Sequence, residues 1–471
     1  MPTRKNRSAY RPRLALSLWL CTGLAFAAAT LTSEKTFDFE TSKGLTVRIV
    51  QDPALPFIHA ELHIYYDSDS VDKLTPTIAY LALLNVFSRE LNDPPHPLMR
   101  LLRELGNDFD VEQQPDFLGL RVNFLNDKIQ LFIQMLKELF NFDSFSLRVF
   151  NASKQFYWPH LFAQSDWEKQ LAYRIAYRQL FPNQALGQSL VMSEQMAGIN
   201  LAQIRSFCKK TFRSDRSLLL LRGNINPHIT LGSIERNMQY AFKKLPPLPE
   251  PSVPVAVNQR RLIIINDRKA DLPYLYWFDT LPAANNPDYF SFLVASHIIF
   301  GYPTGRIYQG GKSQFFLGTN RIASEVTQHR QISVSCISLR LNYADIEDFI
   351  QLVDSEWRKL NVLTIQRREY LDAVKYFLGK KQVESSEFAA PPGIEIGNQI
   401  LKSDATPKMA LSDMIQKVSL ERIQRVASDA YAGRQRDSSR ERGIIVLVGN
   451  AETILANLKT LKPEAVEKIP D

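Results

Sequence analysis

Cysteine is scarce in this 471-residue chain, which holds only Cys21, Cys208 and Cys336. Three cysteines exclude a disulfide-stapled scaffold. Cys208 and Cys336 fall in different halves, and whether they meet stays open because sequence spacing gives no distance. Acidic residues are missing from residues 1–29, where Arg4, Lys5, Arg7, Arg11 and Arg13 precede the apolar stretch Leu14–Ala29. That stretch is too short to favour a membrane-spanning helix. With small residues at Ala25-Phe26-Ala27 and Ala27-Ala28-Ala29, it reads as a signal peptide over 1–29. Trp19-Leu20 before Cys21 does not fit a lipoprotein cleavage site. The expected location is the periplasm, with membrane attachment only if the leader is uncleaved. Removing the five basic residues takes the net charge from +8 to +3. No long basic stripe is left in the body, which argues against nucleic-acid binding.

What remains is an ordinary globular composition, 45% hydrophobic and 23% charged. The length exceeds a single core, so two domains are expected. An internal repeat supports this. Leu201-Ala202-Gln203-Ile204 opens an amphipathic helix, followed by the apolar run Leu218–Leu221 and Gly223-Asn224. Leu420-Glu421-Arg422-Ile423 opens a similar helix, followed by Ile444–Val448 and Gly449-Asn450. The offset is 219 residues at the helix (420 less 201) and 226 at the Gly-Asn (449 less 223). An insertion in the polar loop Arg434–Arg440 accounts for the difference. A period this long means two copies of one domain. Prolines at 246, 247, 249, 251 and 254 mark a stiff linker. The boundaries are an N-terminal domain over 30–244, a linker over 245–259 and a C-terminal domain over 260–471.

Periodicity predicts strands at Leu45–Val50, Phe57–Tyr66, near Phe109 and at Phe117–Phe124, and helices at Thr77–Glu90 and from Leu101 to a stop at Gly106. Ile129, Phe132, Ile133, Leu136 and Phe140 are spaced as one buried helical face. In the second half, strands are expected at Leu262–Ile265, Pro273–Leu281 and Gln331–Leu339, and helices at Tyr289–Phe300 and Ile346–Leu360. Hairpin-length joins favour an α+β fold of two tandem homologous domains, each a mostly antiparallel sheet with helices packed on one face.

Several residues invite a chemical reading. His59, Glu61 and His63 share one face of a strand, but four residues of strand span about 13 Å, too far for one tetrahedral ion. They are expected to form a polar wall facing a solvent-filled chamber, with an interface or a buried network as alternatives. His297 lies on an apolar helix and is expected to be a hydrogen-bonded core residue. His96, among prolines, is expected in a loop, and His160 stands without companion ligands. Gly301-Tyr302-Pro303-Thr304-Gly305 and Gly310-Gly311-Lys312-Ser313 both lack the pattern of a phosphate loop.

A strand, a second strand ending in Asp67-Ser68-Asp69-Ser70, and then a helix resemble the start of an insulinase/pitrilysin-type zinc peptidase. Leu102-Arg103-Glu104-Leu105-Gly106, the Leu201–Asn224 segment and the Gly301–Arg306 region resemble that family too. The likeness runs from about residue 38 to 460. Active members carry H-x-x-E-H on the first helix, where two histidines grip zinc and the glutamate moves a proton. Here the matching stretch is Tyr80-Leu81-Ala82-Leu83-Leu84. Tyr80 and Leu84 stand at the histidines and Leu83 at the base. Leucine has neither a lone pair for zinc nor a proton to transfer. Around Tyr157-Trp158-Pro159, where the resemblance places a third ligand, no glutamate occurs between Glu138 and Glu168. The family's substrate-holding arginine and tyrosine match Lys312 and Thr319, with Asn320 as the alternative to Thr319. Lysine lacks the bidentate fork and threonine is too short.

The resemblance therefore implies a non-catalytic member with no metal and no cofactor of its own. It implies a structural or substrate-binding subunit paired with a catalytic zinc peptidase of the same family, in a chamber that takes unfolded peptides. Two alternatives stay open: an active periplasmic zinc metallopeptidase with an atypical site, and a stand-alone periplasmic peptide-binding or assembly protein.

Overall fold

The structure is a computed structural model that describes residues 35–66, 75–87, 97–106, 108–113, 117–140, 146–152, 154, 167–184, 186–188, 198–238, 255–256, 260–283, 286–311, 322–329, 332–362, 365–386, 417–432 and 443–468. The first half contains β1 (Lys35–Glu40), β2 (Thr46–Gln51), β3 (Phe57–Tyr65), α1 (Thr75–Phe87), α2 (Pro97–Leu105), β4 (Phe109–Gln113), β5 (Phe117–Leu125), α3 (Ile129–Leu139), α4 (Trp167–Leu180), α5 (Leu201–Thr211), β6 (Ser217–Gly223) and α6 (Pro227–Met238). The second contains β7 (Arg261–Asn266), β8 (Tyr274–Pro282), α7 (Tyr289–Phe300), α8 (Arg306–Gly311), β9 (Ala323–Gln328), β10 (Ile332–Arg340), α9 (Ile346–Val362), α10 (Arg367–Ser386), α11 (Leu420–Ala432), β11 (Ile444–Gly449), α12 (Ala451–Asn457) and β12 (Ala465–Lys468).

The strands form two six-stranded sheets, ordered β1-β2-β6-β3-β5-β4 and β12-β7-β11-β8-β10-β9. Five strands repeat in the same order and direction: β2-β6-β3-β5-β4 becomes β7-β11-β8-β10-β9, with β2–β6 and β7–β11 parallel and the other three pairs antiparallel. The duplication read from Leu201–Asn224 and Leu420–Asn450 is thus a duplication of topology. Its local signals recur as well. Asn200 caps α5 by accepting from the Gln203 amide at 3.0 Å, and Ser419 Oγ accepts from the Arg422 amide at 3.2 Å in α11. After β6 and β11, Asn226 and Asn450 accept from amides three residues on and cap α6 and α12. Gly223 ends β6 where a Cβ would lie 2.7 Å from the Phe57 carbonyl oxygen, so only glycine fits. The sixth strands break the symmetry. β1 precedes its domain and runs antiparallel to β2, whereas β12 follows its domain and runs parallel to β7.

The α+β reading with two tandem sheets is borne out. Alternation on β3 sends Ile58, Ala60, Leu62 and Ile64 into one core with α1, α2, α3 and α5. Leu262, Ile264, Leu275 and Trp277 face an equivalent core with α7 and α9. Gly106, at φ +121°, stops α2 where expected.

One helix departs from the expected arrangement of helices on one face. α4 belongs to the first half in sequence but packs on the second sheet, on the side away from α7 and α9. Leu171, Ile175, Tyr177 and Leu180 pack against Ile263, Phe278, Val446 and Val448. Tyr177 Oη bonds His329 Nε2 at 2.8 Å, Tyr173 Oη donates to Glu325 at 3.0 Å, and Arg178 pairs with Glu467 at 2.9 Å. The side chain of Gln184 exchanges two hydrogen bonds with the backbone of Val255, so this region also secures part of the proline-rich stretch. The second sheet is therefore covered on both faces. Cys208 and Cys336 are both free and buried, one in each half's packing.

Candidate functional site: the first helix and the outer face of β3

α1 forms at the place expected for a metal-binding helix, and its inner positions are apolar. Leu81, Ala82 and Val86 are fully buried. Leu83, at the position of the general base, is 6% exposed and lines a small apolar hollow with Leu62, Ile64, Leu118, Leu139 and Phe212. Tyr80 is partly buried against the same core. Leu84 lies on the helix, and its side chain is outside the described residues, as are Lys312, Thr319, Asn320, Asp67–Ser70, His96, Tyr157–Pro159 and His160. Among the described residues, the base position offers zinc chemistry nothing to work with. Leu83 offers hydrocarbon in a hydrocarbon environment, and a charged base there would be desolvated without a partner. Among the described residues no group of three or more His, Cys, Asp or Glu is arranged to hold a metal ion.

His59, Glu61 and His63 lie on the other face of β3, but they do not form a wet chamber wall. Their exposures are 5%, 1% and 1%, which corrects the expectation of a solvent-facing surface in favour of a buried network. The strand register explains the network. Asn123 stands opposite His59, and Arg121 opposite Glu61. His59 Nε2 lies 3.0 Å from Glu61 Oε1, His63 Nε2 3.4 Å from Glu61 Oε2, and Arg121 Nε 3.4 Å from Glu61 Oε1. Burial pushes the Glu61 carboxyl up, but hydrogen bonds and charge from His59 and His63 win and hold it down to about 2. The three residues were visible in the sequence. Asn123 and Arg121 were missed, since only the pairing of β3 with β5 brings them in.

His297 is partly buried rather than deep in the core, and its ring stacks on Tyr376 of α10 at 4.0 Å. In the Gly301–Arg306 region, the Arg306 guanidinium forms a bidentate pair with Glu369 at 2.7 and 3.0 Å, which fastens α8 to α10. Hydrogen bonding to Glu369 raises Arg306 above its ordinary value. Burial pushes His329 in the opposite direction, down to about 3, so it is neutral against Tyr177.

The described residues build two tandem α+β domains, the first of which carries a helix with an apolar inner side. Residues 198–375 match the family model of the peptidase M16 inactive domain. Three solved structures share the fold over nearly their whole length. A peptidase M16 inactive domain from Pseudomonas fluorescens is 17% identical, with a TM-score of 0.69, over 88% of this chain and 98% of its own. The first half of the periplasmic protease PqqL from Escherichia coli is 14% identical, with a TM-score of 0.68, over 91% and 94%. A chain of complex III2 from Candida albicans is 15% identical, with a TM-score of 0.70, over 89% and 97%. No curated protein matches the sequence. The resemblance to M16-type (insulinase/pitrilysin-type) peptidases is borne out by the domain matched over 198–375 and by the shared fold.

Proposed function

We propose that this chain is a pseudo-peptidase: a structural or substrate-binding subunit that pairs with a catalytic zinc peptidase of the same fold. The observation that carries the reading is Leu83, which packs into hydrocarbon at the position where the family resemblance places a proton-transferring glutamate. The inactive domain matched over 198–375 supports it. The partner supplies zinc and the general base, and this chain supplies half of the enclosure. An unfolded peptide adds to an exposed sheet edge by backbone hydrogen bonds. Strand β4 is such an edge among the described residues and lies beside α1. Export to the periplasm follows from the basic and apolar leader over 1–29 and is supported by the likeness to a periplasmic protease. Pairing is supported by the likeness to a chain of complex III2.

The test is co-purification from the native host with zinc counted per chain, followed by peptide-cleavage assays with and without chelator. The expected result is one zinc per heterodimer and no zinc or cleavage for this chain alone. Chelator-sensitive cleavage by the isolated chain would refute the proposal.

A further inference from the structure

The two copies of the domain differ at one sheet edge. Gly223 and Gly449 end β6 and β11 and stand opposite Gln51 and Asn266, so β7 repeats β2 residue for residue, with Leu262 at the place of Val47 and Ile264 at that of Ile49. The outer edge of β2 carries β1, six residues long and antiparallel, with Phe37 opposite Ile49 and Phe39 opposite Val47. Both rings pack against the first core, as does Leu231 of α6, and His228 of α6 meets them edge-on. The same edge of β7 carries β12, four residues long and parallel, the slightly weaker pairing. Val466 stands opposite Ile264, the position of Phe37, and the ladder begins at Ile263, one residue past the position that Phe39 faces in the first sheet. Counted from the capping residues Asn226 and Asn450, Leu455 of α12 takes the place of Leu231. Leu455 is 44% exposed and Val466 47%. The apolar side that two phenylalanines cover in the first copy therefore faces solvent in the second.

β12 is built as a strap with a fixed root. Glu347 of α9 accepts hydrogen bonds from the Lys459 and Thr460 amides, which pins the chain just after α12. Beyond Pro463, the Glu464 amide donates to the Leu262 carbonyl at 2.8 Å, Arg261 pairs with Glu464 at 3.4 Å, and Arg178 of α4 pairs with Glu467 at 2.9 Å. Both ion pairs lie at the surface, where such pairs add little. The strand beneath is the opposite, with Ile263, Ile264 and Ile265 buried. A weakly held strand thus lies over the edge of a strongly held one.

We propose that β12 is displaceable and that the β7 edge beneath it docks an extended segment of a partner protein, added antiparallel as β1 is added to β2. The register gives the chemistry of that segment. Aromatic side chains opposite Ile264 and Leu262 cover the exposed apolar margin that Leu455 and Val466 mark, as Phe37 and Phe39 do in the first copy. Carboxylates opposite Ile265 and Arg261 take over from Glu467 and Glu464 at Arg178 and Arg261. From its N-terminal end the segment reads acidic, aromatic, any residue, aromatic, acidic. Backbone hydrogen bonds to β7 supply affinity, and these side chains supply specificity. The site lies on the other sheet from β4 and does not rest on the pseudo-peptidase reading.

The test titrates the full chain with a labelled peptide, Glu-Phe-Asp-Phe-Glu between serine flanks, and with a control in which both phenylalanines are serine. Binding is read by fluorescence anisotropy and by hydrogen exchange. The aromatic peptide is expected to saturate and the control to bind at least roughly tenfold more weakly, the scale of burying aromatic side chains. On binding, residues 465–468 lose protection, while residues 261–266 and 109–113 keep theirs. Leu455→Glu, a surface substitution that also sets a like charge against the peptide, weakens binding by roughly tenfold and leaves the melt unchanged. Absence of binding, equal binding of the two peptides, or binding that leaves exchange at 465–468 unaltered would each overturn the proposal. So would a dimer in sedimentation that the peptide does not dissociate, since a second copy would then hold the edge. The two-peptide comparison on the unaltered chain decides by itself if the variant fails to fold.

Discussion

Ile175→Ala tests whether α4 is part of the second sheet's folding unit although the chain places it in the first half. Ile175 is 1% exposed and faces the second sheet together with Leu171, Leu180 and Phe181. Truncating a fully buried isoleucine removes its transfer free energy and leaves a cavity, at a cost of about 2–5 kcal/mol. Collapse is limited here, because Ala172 and Ala176 already bring the helix backbone close to the strands. A value near 3 kcal/mol is therefore expected, against about 5–15 kcal/mol for a whole domain. The location of the loss matters as much as its size. Native-state hydrogen exchange should show protection falling in β7, β8 and β11, where Ile263, Phe278 and Val446 meet α4, and remaining in β2, β3 and β6. The denaturant midpoint for the second half should fall without a change in the first. Loss of protection in the first sheet alone, or a destabilisation below about 0.5 kcal/mol, would refute the assignment of α4 to the second sheet.

Other outcomes can be checked with the same protein. Restoring the motif as Tyr80→His, Leu83→Glu and Leu84→His should yield no zinc-dependent cleavage. It should also destabilise the chain by roughly 2 kcal/mol or more, since a carboxylate at position 83 is buried among leucines; tight zinc uptake with activity would contradict this. Glu369→Ala should loosen α8 from α10 and cost on the order of 1–3 kcal/mol, because it strands the partly buried Arg306 guanidinium; an unchanged melt would count against that role. Acid should destabilise the protein in two stages. His329 is held near 3 when folded against an ordinary 6.5, so the unfolded chain binds more protons between those values and stability falls as pH drops from about 6.5. Glu61 is held near 2 against 4.5, so its contribution is present above 4.5 and lost as pH falls toward 2. His329→Gln should flatten the first stage, and Glu61→Gln the second, in melts recorded against pH.

The duplication, the type of the elements that build its most periodic segments and the lack of any H-x-x-E-H pattern were legible in the sequence alone. Each rests on local chemistry. Period-two alternation in Phe57–Tyr65 makes a two-faced strand, Asn200 and Ser419 start equivalent helices, and Leu83 and Leu84 carry no atom that could bind zinc wherever the helix lies. The partners of those elements were not legible, because contact between distant segments leaves no trace in spacing. Leu171, Ile175 and Leu180 mark a buried helical stripe in α4, yet nothing local says that the stripe covers the other domain's sheet. Likewise, His59 and His63 read as a wet wall until β5 set Asn123 and Arg121 across from them. That these polar side chains are buried against one another followed from the folded arrangement alone, since burial is a property of the neighbours and not of the residue.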